Sequence, residues 1–218
     1  GKKDYEAALT RLDRARAVDR VEAERGQARD GGRRHLEADL LQGEAPAHML
    51  QLQLDDPGVA LDDLSLPPDP LVLVCEGLEK PGNLGAVLRT ADAAGVAAVV
   101  AASPVTDWGN PNVVRASKGT VFTVPVATAS TEEVLRWLRR HGIRLLETTP
   151  DTETAHTDVD YRGAVAVAVG TEKEGLTPAA LAAADARVRI PMVGRVNSLN
   201  AATAAAVVVY EAVRQRAG

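Results

Sequence analysis

Three polar segments of the chain carry side chains that could bind a ligand or take part in a reaction. The first, residues 79–90, holds an amide at Asn83, a small residue at Gly85 and a permanent positive charge at Arg89. Asn83 stands at a helix start, where its side chain could cap the first turn, and Gly85 permits close backbone approach. A capped helix with a surface arginine fits this segment as well as a binding function does.

The second segment, residues 169–175, directly follows the most apolar stretch of the chain. Gly170 at the end of a strand permits a tight turn and an approaching ligand. Glu172 and Lys173 would then face the crevice beyond the strand. A plain polar turn is the alternative interpretation of this segment.

The third segment, residues 190–200, leads into the last helical stretch. Ser198 and Asn200 have the residue types that cap helices. Asn197, Ser198 and Asn200 together exceed what one helix start requires, which favours a further role in binding.

A compact basic element, residues 115–119, lies between the first two segments and has the composition of an exposed loop. Arg115 and Lys118 could contact phosphate groups, or the element could be a solvated turn. Only 3% of the residues are aromatic, which argues against a platform that stacks bases.

Other kinds of chemistry find no support in the residue pattern. The four histidines share no spacing that would make a metal site, so we expect no metal. Cys75 lies in an apolar strand and is expected to be a core residue. No Ser/His/Asp arrangement can be assembled. The first segment is not a dinucleotide fingerprint, because Gly82 and Gly85 do not form G-x-G-x-x-G, so a dinucleotide-dependent reductase is excluded.

These segments are positioned by short apolar runs that alternate with helical stretches. Unbroken apolar strands predict an α/β fold, with a mostly parallel sheet, helices on both faces and a ligand beyond the carboxyl ends of the strands. Trp108 and Trp137 are expected to pack against helices. The strands are predicted at 71–75, 96–102, 121–126, 143–146, 164–169 and 187–190, and the helices at 83–94, 131–141, 178–184 and 199–216.

The distribution of charge divides the chain. The net charge is −5, but residues 41–70 hold six acidic residues and no Lys or Arg, and they account for the excess. We expect an N-terminal extension over 1–54, helical in part and a candidate RNA-binding appendage, then an acidic proline-rich linker over 55–70 and one domain over 71–218. The start at Gly1 indicates a tag remnant or missing upstream residues. With no signal peptide or membrane-spanning run, a cytoplasmic location is expected.

The ordered blocks N-L-G-A-V-L-R-T, R-A-S-K-G, V-G-T-E-K-E-G and I-P-M-V-G-R-V-N-S-L-N resemble the SpoU/TrmH branch of the SPOUT RNA 2′-O-ribose methyltransferases. The resemblance covers nearly all of residues 71–216. It implies a deep trefoil knot near the C-terminus, a homodimer that buries the first-segment helix and the last helix, and S-adenosylmethionine as cofactor. The implied cofactor contacts are Thr148, Gly170, Ile190, Met192, Ser198 and Leu199.

The same resemblance implies the chemistry, which is attack of a ribose 2′-hydroxyl on the methyl group of the cofactor. Arg89 would orient a phosphate and polarise the hydroxyl, or remove its proton, and Asn83 would hold Arg89 or the ribose. Glu172, Ser198 and Asn200 match the family's other polar site residues. Arg115, Lys118 and Lys173 would bind the RNA backbone.

The substrate is expected to be 23S ribosomal RNA, because R-A-S-K-G and the ending without a basic tail look more like rRNA-modifying relatives. A tRNA substrate is the alternative within the class. A non-catalytic RNA-binding module with the same fold is a further alternative, which the intact polar site residues argue against.

Overall fold

The computed structural model describes residues 58–171 and 175–217, and all structural statements below concern these residues. The strands are β1 (Leu71–Glu76), β2 (Ala98–Ala102), β3 (Val126–Ala129), β4 (Arg144–Thr148), β5 (Val165–Val169) and β6 (Ala186–Val188). The helices are α1 (Pro81–Ala94), α2 (Pro111–Ser117), α3 (Thr131–Arg140), α4 (Pro178–Ala183) and α5 (Ala201–Arg216).

The six strands form one sheet in the order β3-β2-β1-β5-β4-β6, and every pairing is parallel. β1, β2 and β5 are buried along their whole length, as expected for strands that are covered on both faces. Helices α1, α2 and α5 cover one face, and α3 and α4 cover the other. The predicted α/β fold is confirmed.

Two buried tryptophans and the single cysteine behave as core residues. Trp108 is 1% exposed and its indole N–H donates to the carbonyl of Ala127 at 3.2 Å, while Trp137 is equally buried on the inner face of α3. Cys75 is fully buried in β1, and burial raises the pKa of its thiol to about 12. A thiol held neutral in this way is no nucleophile at neutral pH.

The prediction that Asn83 caps the first helix is wrong. The helix begins two residues earlier, at Pro81, with Lys80 in the capping position. The fixed φ of proline suits the first helical position, so Pro81 sets the start. Asn83 therefore lies inside the first turn, and its side chain is available for a contact with another element.

The predictions of a strand at 121–126 and of an exposed loop at 115–119 are also wrong. Residues 111–117 form helix α2, which Asn110 caps and whose Ser117 is fully buried. Lys118 and Gly119 follow with φ of 53° and 85°. This left-handed pair turns the chain into a 3-10 turn over Thr120–Phe122, and β3 begins only at Val126.

The described part of the predicted acidic linker contacts the sheet and α3. The backbone N–H of Val59 donates to the carbonyl of Val126 at 2.8 Å, and Leu61, Leu64 and Leu66 pack against the core on the α3 side. No helix among the described residues is long and apolar enough to cross a membrane. The predicted extension over 1–54 lies outside the described residues.

Gly85 sets the distance between α1 and α2. A Cβ built on this glycine would lie 2.4 Å from the Cβ of Ala116 and 2.7 Å from the backbone nitrogen of Ser117. Any side chain at residue 85 must therefore push α2 away. This contact fixes the R-A-S-K-G segment against the first-segment helix.

Replacing Gly85 with alanine should lower the free energy of unfolding by about 1–3 kcal/mol, because the added methyl group overlaps the α2 backbone. Gly82→Ala is the matched control, since it lies on the same helix with nothing within 4 Å of the added Cβ. The control should leave stability unchanged or raise it by up to ~1 kcal/mol. Urea unfolding measures both, and equal stability of the two variants would contradict the prediction.

Candidate functional site

Four neighbouring strand ends bring the polar segments together. The strands β1, β5, β4 and β6 lie side by side and run parallel, so their carboxyl ends share one edge of the sheet. Asn83, Gly170, Thr148 and Ile190 each follow or end one of these strands. With strands about 4.8 Å apart, the four ends span roughly 14 Å. This edge is the predicted position of a ligand in an open parallel sheet.

The turn after β5 folds back tightly on Gly170. The backbone groups of Thr171 and Gly175 exchange two hydrogen bonds of 3.0 Å. A Cβ on Gly170 would lie 2.2 Å from the carbonyl carbon and oxygen of Gly175, so only glycine fits there. Glu172 and Lys173 lie outside the described residues.

Asn83 and Asn200 join the first and third segments. The amide nitrogen of Asn200 donates to Oδ1 of Asn83 at 2.9 Å, while Oδ1 of Asn200 caps α5 by accepting from the backbone N–H groups of Ala202 and Thr203. Asn200 therefore caps α5, as expected, and also contacts the first segment, while its role in binding stays a prediction. Ser198 is exposed and does not cap α5.

The remaining predicted cofactor residues lie along the same loop and at the end of β4. Ile190, Met192 and Leu199 are half-buried, and Ile190 packs against the α1 side of the core. Thr148 is half-buried too, and its hydroxyl oxygen is buried without a hydrogen-bond partner among the described residues. An orphaned hydroxyl at a strand end is a polar group that a ligand could satisfy.

Three cations lie on the two helices that Gly85 holds together. Arg89 is exposed on α1, and no hydrogen bond or ion pair engages it within the described part of the chain. Arg115 and Lys118 are exposed on and just after α2, where a guanidinium nitrogen of Arg115 donates to Oδ1 of Asn112 at 2.5 Å. These three exposed cations, on helices that pack together at Gly85, are called the basic surface below. Within the described residues, no hydrogen bond joins Asn83 to Arg89.

Sequence reasoning missed a buried polar network on the other face of the sheet. The carboxylate of Glu76, 3% exposed at the end of β1, accepts three hydrogen bonds: from the Thr131 hydroxyl at 2.7 Å, and from the Thr177 hydroxyl and N–H at 2.8 Å each. Thr177 caps α4 just after the 171–175 turn. Glu76 thus connects β1, α3 and the turn after β5. Two features of the sequence could have indicated this network. Glu76 is an acidic residue directly after an apolar run, and Thr177 precedes a proline at the start of a helix.

Glu147 is a second buried carboxyl on this face, and sequence reasoning missed it as well. It is 0% exposed in β4, and neither carboxyl oxygen has a hydrogen-bond partner among the described residues. Burial, reinforced by the charge of Glu76 and opposed by Arg187, raises the pKa of Glu147 to about 7. The neutral acid is therefore the form that the fold favours.

Comparison with known proteins defines the class. Residues 70–210 match the SpoU rRNA Methylase family, and the chain belongs to that family. It is an RNA 2′-O-ribose methyltransferase, which confirms the resemblance seen in the sequence motifs. The trefoil knot stays a prediction.

The relatives share both sequence and structure with this chain. It is 38% identical over 174 residues to the 23S rRNA (guanosine-2′-O-)-methyltransferase RlmB of Ralstonia nicotianae, covering 79% of this chain and 68% of the relative. A crystal structure of an RNA 2′-O ribose methyltransferase matches with a TM-score of 0.70 and 42% identity over 84% of this chain and 77% of that chain. AviRb from Streptomyces viridochromogenes, solved with AdoMet, matches with a TM-score of 0.69 and 35% identity over 74% of this chain and 66% of its own.

Glu147 should make the stability of the protein depend on pH. Because its folded-state pKa lies above the ordinary value of 4.5, the stability due to the bound proton is present at low pH and is lost as the pH rises through about 7. From pH 5 to pH 8 the wild type should lose about 2–3 kcal/mol of unfolding free energy that Glu147→Gln retains. Urea unfolding at both pH values measures this difference. Identical pH profiles of the two proteins would refute it.

Proposed function

We propose that this protein transfers the methyl group of S-adenosylmethionine to the 2′-hydroxyl of a ribose in 23S ribosomal RNA. The observation that carries the proposal is the meeting of the family's polar segments at four adjacent strand ends, joined by the contact between Asn83 and Asn200. The RlmB relative, a 23S rRNA (guanosine-2′-O-)-methyltransferase, supports this substrate. Ribosomal RNA as substrate also supports a cytoplasmic location.

The residues at the strand ends fit the cofactor. The buried Thr148 hydroxyl lacks a partner among the described residues, and the close backbone contact of Gly170 with Gly175 shapes the turn after the neighbouring strand β5. S-Adenosylmethionine, when bound, supplies an electrophilic methyl group on a positively charged sulfur. The proposed contacts are Thr148, Gly170, Ile190, Met192, Ser198 and Leu199.

Arg89 is the proposed centre of the methyl-transfer step. A ribose hydroxyl is a weak nucleophile, so its position and the loss of its proton determine the rate. A guanidinium is not deprotonated in proteins, so Arg89 orients a phosphate and polarises the hydroxyl rather than acting as a free base. Asn83 holds the ribose or Arg89, and its position is fixed by Asn200. Glu172 and Ser198 complete the proposed set of catalytic residues.

A homodimer would complete this site. One face of α5 presents side chains to solvent, and Tyr210 in its middle is 50% exposed. Aromatic residues of this kind are common at protein interfaces. The carboxyl ends of β1, β5, β4 and β6 are called the cofactor edge here. A second copy packed on α1 and α5 would bring its own first segment to this edge, so that Asn83 and Arg89 of one protomer act beside the cofactor of the other.

RNA binding is assigned to the basic surface. Arg115 and Lys118 are exposed cations beside the helix that carries Arg89, and Lys173 is proposed to join them from the turn after β5. Residues 1–54 are proposed as an additional RNA-binding appendage, connected through 55–70 to the catalytic domain over 71–218.

Arg89→Ala should abolish methyl transfer, because the 2′-hydroxyl loses the group that orients it, while cofactor affinity stays within a few fold. The assay supplies labelled S-adenosylmethionine with 23S rRNA or tRNA and maps the label to alkali-resistant ribose positions. Label is expected in 23S rRNA.

Arg139→Ala is the matched control, an exposed arginine on α3 at the opposite face of the sheet. Turnover by the Arg89 variant at the control rate would remove Arg89 from the mechanism. Label in tRNA alone would show that tRNA is the substrate. RNA binding without any methyl transfer would indicate a non-catalytic module.

Combining Arg115→Ala with Lys118→Asn should weaken RNA binding and reduce the slope of log K against log salt by up to about 1.5, since two phosphate contacts are lost. Asparagine is chosen at 118 because it tolerates the left-handed backbone there. Filter binding at several salt concentrations measures the slope. Arg136→Ala with Arg139→Ala on α3 removes two charges elsewhere, and an equal effect of the two pairs would contradict a specific contact.

A further inference from the structure

A small cavity lies under the cofactor edge, on the α3 and α4 side of the sheet. It measures about 10 Å³, room for one water molecule at most. Glu76 and Glu147 are its two titratable lining groups, and most of the remaining wall is aliphatic. The two groups differ in their hydrogen bonds: Glu76 accepts three, whereas Glu147 has none within the described residues.

The surroundings of Glu147 tolerate its neutral form and oppose its charged form. The donors near the cavity, the Thr131 hydroxyl and the hydroxyl and N–H of Thr177, are already used by Glu76. Arg187 is the nearby cation, and its guanidinium donates to the carbonyl of Leu181 from two nitrogens. An ionised Glu147 would thus be a buried charge without donors, next to a second negative charge.

A movement of the end of β4 toward water would hydrate an ionised Glu147, and it would displace the turn that follows this strand. Thr148 would move with β4, which breaks the 2.9 Å hydrogen bond from the N–H of Thr149 to the carbonyl of Val188. The carboxylate of Asp185 accepts from the N–H of Leu145 at 2.7 Å and holds only the beginning of β4.

We propose that Glu147 is a positioning residue for the cofactor pocket: its protonated form holds the turn after β4 in the binding arrangement, and its ionised form releases it. Glu76, held by its three hydrogen bonds, anchors the neighbouring strand. The proposal rests on the proposed function, because it assumes that this turn binds the cofactor. Cofactor affinity then falls as the pH rises above the pKa of Glu147, which is about 7.

The test compares wild type and Glu147→Gln by calorimetry with S-adenosylhomocysteine, a stable ligand that carries the same adenosine and amino-acid groups. The ratio of wild-type to variant Kd should rise about tenfold or more from pH 6 to pH 8.5, since binding is linked to one proton. Titration of the ligand's amino group is the same in both experiments and cancels in the ratio. Glu132→Gln, an exposed glutamate on α3, is the control and should follow the wild type.

Hydrogen exchange of the ligand-free proteins provides a readout independent of binding. The N–H of Thr149 should exchange at least about tenfold faster in wild type than in Glu147→Gln at pH 8.5, and at equal rates at pH 5.5, because intrinsic rates are the same in both proteins at each pH. Equal exchange at both pH values, or parallel Kd profiles, would overturn the proposal. If no protein binds the ligand at any pH while the exchange difference appears, the proposed function fails and the role of Glu147 in holding the turn stands.

Discussion

The parallel pairing of β5 between β1 and β4 determines where every candidate ligand-binding segment lies. Leu73 of β1 and Leu146 of β4 both face Val167 of β5 across the ladder, with all three strands running in one direction. A single antiparallel strand among them would place its turn at the opposite edge, roughly 17 Å away for five residues. Parallel strands also need long connections, and the segments between these strands supply the helices that cover the sheet.

Close backbone approach is the second requirement of the site, and it is met by two glycines in different ways. Gly85 brings the helix with Arg115 against the helix with Arg89, so that the cations proposed to bind phosphate lie on a helix packed against the one that carries the proposed catalytic arginine. Gly170 allows the chain to fold back on itself at the cofactor edge. The site thus depends more on backbone proximity than on a dense cluster of charged side chains. The low aromatic content of the chain agrees with the proposal that it binds phosphate and ribose rather than stacking bases.

The sequence was sufficient for the parts of the fold in which local pattern and tertiary environment agree. The apolar runs in β1 and β5 are buried on both faces, so composition alone identified them. The prediction of a strand at 121–126 failed because Val121 and Val124 are buried by a turn under α1 rather than by strand pairing. The contact of Asn83 with Asn200 spans 117 positions. No local pattern contains such a contact, and only the family resemblance placed both residues in one site.

The two faces of the sheet differ in the polarity of the side chains buried against them. On the α1 and α5 side the core is apolar, with Cys75 and Tyr161 held neutral by burial, and the exposed cations lie outside it. On the α3 and α4 side, the carboxyl groups of Glu76 and Glu147 are buried near the ends of β1 and β4. A buried acid without a partner destabilises a fold unless it remains neutral. The position of Glu147 one residue before Thr148 is what would couple proton binding to the proposed cofactor site, whereas the surface proposed to bind RNA lies on α1 and α2, across the sheet.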